Sequence, residues 1–95
     1  MAYELMYVVR PTTDEQALAA LNEKVEKFIA NAGGEILRRD DWGKRRLAFP
    51  ITKFTEGFYR VLQFKLTASA VRDLERNLKL TEEILRHIVT RVETE

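Results

Sequence analysis

The chain has 95 residues, of which 45% are hydrophobic and 33% are charged, and its formal net charge is +1. This apolar content supports a single folded domain over residues 1–95 and excludes a disordered chain. The absence of cysteine excludes disulfides and thiolate metal sites and suits the reducing cytoplasm, and no apolar run is long enough to span a bilayer.

The first predicted element is a strand over residues 2–10. Beyond its start it is apolar on both faces, which favours a central position in a sheet. One face carries Tyr3, Leu5, Tyr7 and Val9, and the other carries Met6 and Val8.

A helix is predicted next, after Pro11. Thr12 and Thr13 each begin a capping-box pattern, which favours a helix start at one of them. Apolar residues then recur at helical spacing through Ala32, and Gly33-Gly34 supplies the C-terminal stop. The opposite, charged face carries Glu23, Lys24, Glu26 and Lys27.

Two extended segments follow, over residues 35–51 and 58–66, with a predicted turn at 53–57. Trp42-Gly43 interrupts the first and indicates a bulge or bend. Pro50 cannot donate to a strand ladder, so the first segment is expected at a sheet edge. A second helix over 68–80 buries Val71, Leu74 and Leu78, and a last strand covers 85–92.

The order strand, helix, strand, strand, helix, strand predicts an α+β, ferredoxin-like βαββαβ fold. Its four-stranded antiparallel sheet has the first and third strands in the centre and both helices on one face. The other face, which we call the open face, is then exposed and suits docking. It carries Met6, Val8, Tyr59, Val61, Arg86 and Ile88.

An enzyme is not expected. His87 is the only histidine and has no evident nucleophile beside it. Asp40 and Asp41 are neighbours on a strand and point to opposite faces, so they cannot easily share a metal or a proton. Without a phosphate-binding glycine loop or metal-ligand spacing, we expect no metal, no cofactor and no small-molecule substrate.

Five cations fall within nine residues, although the chain as a whole is nearly neutral. They are Arg38, Arg39, Lys44, Arg45 and Arg46, and the last three, here called the basic block, directly follow Trp42-Gly43. A solvated edge strand protected from aggregation is the alternative interpretation. A bulge directs side chains out of the regular pleat, and three consecutive cations directed in this way are suited to bind a phosphate backbone. RNA binding is therefore the preferred hypothesis.

The same segment resembles the family of the sixth protein of the bacterial small ribosomal subunit. The matching segments lie in order along essentially the whole chain. They are Tyr3-Glu4-x-Met6-Tyr7-x-Val9-x-Pro11, Trp42-Gly43-Lys44-Arg45-Arg46-Leu47-Ala48-Phe49-Pro50-Ile51, Glu56-Gly57-Phe58-Tyr59 and Ile84-Leu85-Arg86-His87.

The resemblance implies a structural role in the cytoplasmic ribosome. It implies binding to the central domain of small-subunit ribosomal RNA together with the eighteenth small-subunit protein. Lys44, Arg45 and Arg46 become the main candidates for RNA contact, with Arg38 and Arg39 nearby, and Arg86 matches a family arginine. Phe49 stands where many family members have tyrosine.

Two other functions remain open. RNA-recognition motifs share the topology and stack bases on aromatic residues of the central strands, but the third strand here lacks their glycine-aromatic signature. A ferredoxin-like protein-interaction module would need no basic block. Because the open face is mainly aliphatic, we expect it to contact the protein partner through Met6, Val8, Tyr59 and Val61.

Overall fold

The computed structural model describes residues 1–92. Its elements in chain order are β1 Ala2–Val9, α1 Glu15–Asn31, β2 Glu35–Ile51, β3 Phe54–Lys65, α2 Ala68–Leu80 and β4 Ile84–Val92. The strands pair antiparallel in the order β2-β3-β1-β4, so β3 and β1 are central and β2 and β4 are the edges. The predicted ferredoxin-like fold is confirmed.

Both helices pack on the same face of the sheet. Every second residue of the central strands joins this core, because successive strand side chains point to opposite faces. The core residues contributed by strands and helices form one cluster. It comprises Tyr3, Leu5, Tyr7, Val9, Leu21, Val25, Ile29, Leu62, Phe64, Leu66, Val71, Leu74 and Leu78.

Helix α1 begins later than the capping-box patterns predicted. Asp14 is the N-cap, and its Oδ1 accepts a hydrogen bond from the Ala17 amide at 2.8 Å. The Thr13 amide instead donates to the Arg10 carbonyl, which forms a turn and delays the first helical residue to Glu15. The predicted caps at Thr12 and Thr13 were therefore wrong, and an aspartate, which is a stronger N-cap than threonine, takes their place.

The hairpin between β2 and β3 is longer than predicted. Only Thr52 and Lys53 separate the strands, and β3 begins at Phe54 rather than at Phe58. Both turn residues have positive φ, 47° and 74°, as in a two-residue type I′ turn. The prediction of a turn over residues 53–57 failed because Thr-Lys lacks the Asn-Gly composition by which such turns are recognised.

The irregularity expected at Trp42-Gly43 is present. The β2–β3 register shifts between Asp41 and Gly43, and Gly43 has a φ of 75°, a conformation that glycine adopts without strain. At the other edge, β4 keeps the predicted phase, since Arg86 pairs with Val8 and Ile88 with Met6.

Candidate nucleic-acid interface

The far end of the β2–β3 hairpin extends past the sheet. Val9, the last residue of β1, pairs with Phe58 of β3, so the hairpin beyond that pair has no neighbouring strand on the β1 side. We call residues 43–58 the ribbon. It contains four cations and one acid, a net charge of +3, although the whole chain carries only +1. The cationic charge is therefore concentrated on this projecting segment.

The basic block lies at the base of the ribbon with all three side chains exposed. Lys44 pairs with Phe58, and its Nζ lies 5.4 Å from the centroid of that ring. The Arg45 guanidinium lies 5.3 Å from the ring centroid of Trp42, and its Nε donates to the Trp42 carbonyl at 3.4 Å. Such contacts contribute about 0.5–1 kcal/mol at exposed sites and hold the cations in place while leaving donors for an anion.

The other predicted RNA-binding residues do not join the basic block. Arg39 lies on the helix side, where its Nε donates to Glu26 Oε1 at 2.7 Å. Arg38 lies 4.0 Å from Asp40 as an exposed ion pair. Arg86 is on β4, three strand spacings or about 14 Å from β2. The six cations predicted to bind RNA therefore lie on several surfaces. Three of them are adjacent on the ribbon, and the other three are separate from it.

The open face contains a shallow hollow of about 190 Å³. Its apolar lining consists of Met6, Val61 and Trp42. Trp42 stacks on Tyr59, with ring centroids 6.0 Å apart and an interplanar angle of 13°. The polar lining residues are Glu4, Arg38, Asp40 and Gln63. An apolar centre with a polar rim is the usual composition of a protein–protein contact.

Val8 lies on the open face, as predicted, but it is only 1% exposed. Gly57 packs directly over it, and a methyl group at residue 57 would overlap Val8 Cγ1 and lie 3.1 Å from the Val9 carbonyl oxygen. The expectation that Val8 contacts a partner is therefore corrected. The Val8 side chain is covered by Gly57 and cannot reach a partner, whereas Met6, Tyr59 and Val61 remain partly exposed.

A buried polar cluster, which was not predicted from the sequence, connects the sheet to α1. Arg60 is 7% exposed, and its guanidinium donates to Asp41 of β2, Glu26 of α1 and the Tyr7 hydroxyl of β1. The Arg60 Nη2 to Glu26 Oε2 distance is 2.7 Å. Arg60 is on the helix-facing side of β3, like Leu62 two residues later. An arginine that alternates with buried residues of a strand is the feature of the sequence that could have indicated this cluster.

The cluster changes the acidity of its members. Burial raises the pKa of Tyr7 to about 12, against the opposing effect of the Arg60 hydrogen bond and charge. Burial alone would raise the pKa of Glu26, but hydrogen bonds from Arg39 and Arg60 and their charges hold it below its ordinary value. Burial alone would lower the pKa of Arg60, and its bonds to Tyr7, Glu26 and Asp41 raise it instead. Glu26 thus belongs to this cluster, rather than to the solvent face on which it was predicted.

His87, the one candidate base, pairs with Tyr7 in the β1–β4 register. Within residues 1–92 no group of three or more histidine, aspartate or glutamate side chains could hold a metal ion. Neither helix of this part of the chain is long and apolar enough to cross a membrane.

The fold and its surfaces define a ferredoxin-like protein whose most distinctive feature is a cationic hairpin. The family described as ribosomal protein S6 matches residues 2–91. The chain therefore belongs to the ribosomal protein S6 family, which confirms the resemblance carried by its sequence motifs. This is a family of structural components of the small ribosomal subunit.

Individual relatives agree with this assignment. The chain is 45% identical over 87 residues to the small ribosomal subunit protein bS6 of Clostridioides difficile (strain 630), covering 92% of this chain and 94% of that protein. It is 39% identical over 93 residues to the protein of the same description from Moorella thermoacetica (strain ATCC 39073 / JCM 9320), covering 98% and 95%. The crystal structure of 30S ribosomal protein S6 from Thermotoga maritima is similar with a TM-score of 0.91 at 33% identity, covering 96% of this chain and 86% of that one.

Proposed function

We propose that the chain is a non-catalytic component of the cytoplasmic small ribosomal subunit. In this role it binds the central domain of small-subunit ribosomal RNA together with the eighteenth small-subunit protein. The observation that carries the proposal is the ribbon, where three consecutive exposed cations lie at the base of a hairpin that extends beyond the last β1–β3 pair. Membership of the ribosomal protein S6 family supports the same role.

RNA contact is assigned to the basic block. Its charges lie on a narrow two-stranded segment with a net charge of +3, which attracts phosphates to this segment. Outside the ribbon the chain has twelve cations and fourteen acids, and this part would repel a polyanion. Arg38 and Arg86 are secondary contacts on the open face, while Arg39 is already paired with Glu26.

The partner protein is assigned to the open face. Met6, Val61 and Trp42, whose ring stacks on Tyr59, line an apolar hollow that a protein side chain can fill. A base-stacking RNA reader is less well supported, since Tyr59 is the single aromatic that the central strands place on this face and Trp42 already stacks on it. A protein-interaction module without RNA would leave the charge of the ribbon unexplained.

The proposed function is tested by filter binding to central-domain RNA across a salt series, with and without the eighteenth protein. We expect the triple variant Lys44→Ala, Arg45→Ala, Arg46→Ala to bind more weakly. Each lost phosphate contact should flatten the dependence of log affinity on log salt by about 0.7–0.9. The matched control removes three exposed cations of α2 through Arg72→Ala, Arg76→Ala and Lys79→Ala. Equal salt slopes for the two triple variants would reject the assignment.

A further inference from the structure

The direction in which the ribbon leaves the sheet depends on contacts at its base. A two-stranded hairpin alone is marginally stable, so side chains around it must hold its orientation. The register shift between Asp41 and Gly43 lies where the ribbon begins. The two residues just before Gly43, which are Asp41 and Trp42, are each held from a different side.

On the open face, Trp42 stacks on Tyr59. On the helix side, Asp41 accepts a hydrogen bond from the Nε of buried Arg60, the residue that follows Tyr59 in β3. The same guanidinium binds Glu26 Oε2 at 2.7 Å and the Tyr7 hydroxyl at 3.2 Å. Arg60 therefore connects the base of the ribbon to both α1 and β1.

We propose that Arg60 is a positioning residue, which holds Asp41 and thereby fixes the direction of the ribbon and the presentation of the basic block to RNA. The RNA part of this role rests on the proposed function. The planar guanidinium matters because its fork of donors reaches three partners at once, which a lysine ammonium cannot reproduce.

The partners of Arg60 have other hydrogen bonds, so the positioning role can be tested apart from an effect on stability. Without Arg60, Glu26 keeps its 2.7 Å bond from Arg39, and Tyr7 keeps its 2.6 Å hydrogen bond to Asn22. The Asp41 side chain is 66% exposed, so water can solvate it. No buried charge is then left unpaired, and we expect Arg60→Met, which retains an apolar stem, to fold.

Trp42 is the only tryptophan, so its fluorescence reports the base of the ribbon without RNA. We expect Arg60→Met to increase iodide quenching of Trp42 and to weaken binding to central-domain RNA roughly tenfold. Asp41→Ala should reproduce both effects, and the double variant should be no worse than Arg60→Met. Arg60→Lys should fail to restore wild-type quenching. The matched control, Arg76→Met with Asp73→Ala, breaks an exposed ion pair of α2 and should change neither signal.

Wild-type quenching in folded Arg60→Met or in Asp41→Ala would overturn the positioning role, whatever the RNA affinity. Altered quenching with unchanged RNA affinity would overturn its link to the basic block. If the triple alanine variant also binds RNA normally, the proposed function itself fails, while the effect on Trp42 still establishes the role at the ribbon base. Should Arg60→Met not fold, Asp41→Ala decides the question, because that side chain is mainly exposed.

Discussion

Tyr7 and Arg60 are directly opposite each other on the two central strands, and their side chains meet between the sheet and α1. The Arg60 Nη1 donates to the Tyr7 hydroxyl at 3.2 Å, and that hydroxyl donates to Asn22 Oδ1 at 2.6 Å. The Tyr7 hydroxyl thus bridges a buried arginine and a side chain of α1. Such an arrangement satisfies polar groups that burial would otherwise make costly.

Removing this hydroxyl should reduce stability. We expect Tyr7→Phe to lower the free energy of unfolding by about 1–3 kcal/mol, because the Arg60 Nη1 donor and the Asn22 Oδ1 acceptor each lose a partner. Urea unfolding would show a lower midpoint with an unchanged slope. Tyr3→Phe is the control, since within residues 1–92 the one hydrogen bond of the Tyr3 hydroxyl is to the Met1 sulfur at 3.8 Å. Equal losses in the two variants would contradict the importance of the bridge.

The Glu26 carboxylate should make stability depend on pH. Its pKa is lower in the folded chain than the ordinary value of a glutamate, which is 4.5. The carboxylate therefore stabilises the fold above the ordinary pKa, and this contribution disappears as pH falls through the lower, folded pKa. Glu26→Gln should be less stable than wild type at pH 7, and the difference should shrink toward pH 3.

Urea titrations of wild type and variant at several pH values would measure this difference. Glu23→Gln is the control, because Glu23 binds exposed Lys27 at 2.9 Å and an exposed pair contributes little. A stability difference between Glu26→Gln and wild type that stays constant from pH 7 to pH 3 would show that the Glu26 charge is not responsible.

Gly57→Ala should destabilise the protein by about 1–3 kcal/mol, because its methyl group would overlap Val8 and crowd the Val9 carbonyl. Thermal unfolding measures the loss. Combining it with Val8→Ala should cost less than the sum of the two single changes, since the smaller side chain vacates the space that the methyl needs. Strict additivity would show that Gly57 is required for another reason.

Partner binding should depend on the hollow of the open face. Met6→Gln with Val61→Gln should weaken binding to the eighteenth protein by about 2 kcal/mol or more, the effect typical of a buried anchor in an interface. Labelled partner protein titrated against the variant gives the affinity, and circular dichroism verifies folding. Val8→Asp is unsuitable here, because it would place a charge in a fully buried position.

The control for that experiment is Leu80→Gln, an exposed apolar residue at the end of α2. Unchanged affinity in the double variant, or an equal loss in the control, would move the partner contact away from the open face.

Periodicity explains why the sequence predicted the elements and their order. Leu21, Val25 and Ile29 recur at helical spacing, and Leu62 and Phe64 alternate, so each pattern identifies the buried face without knowledge of the fold. The sheet order then follows from chain connectivity and the handedness of crossovers.

What the sequence failed to predict depends on contacts between distant residues. Val8 is buried because Gly57 of the neighbouring strand β3 packs against it. Nothing in the sequence around either residue indicates that the two are in contact. The environment of Arg60 requires Glu26, Asp41 and Tyr7 to meet from three elements. The basic block could be identified from the sequence. That Arg39 is not part of it could not, because this depends on the ion pair between Arg39 and Glu26 of α1.

Lys44 and Arg45 are adjacent in β2, so they emerge on opposite sides of the ribbon, one beside Phe58 and the other beside Trp42. An RNA strand running along one side would meet only one of them. If the basic block binds RNA as proposed, contact with both would suit two phosphate backbones that converge around the hairpin, as they do where helices join in a folded RNA. In that case the alternation of side chains along the strand would favour a particular RNA architecture, and the order of bases need not enter into recognition.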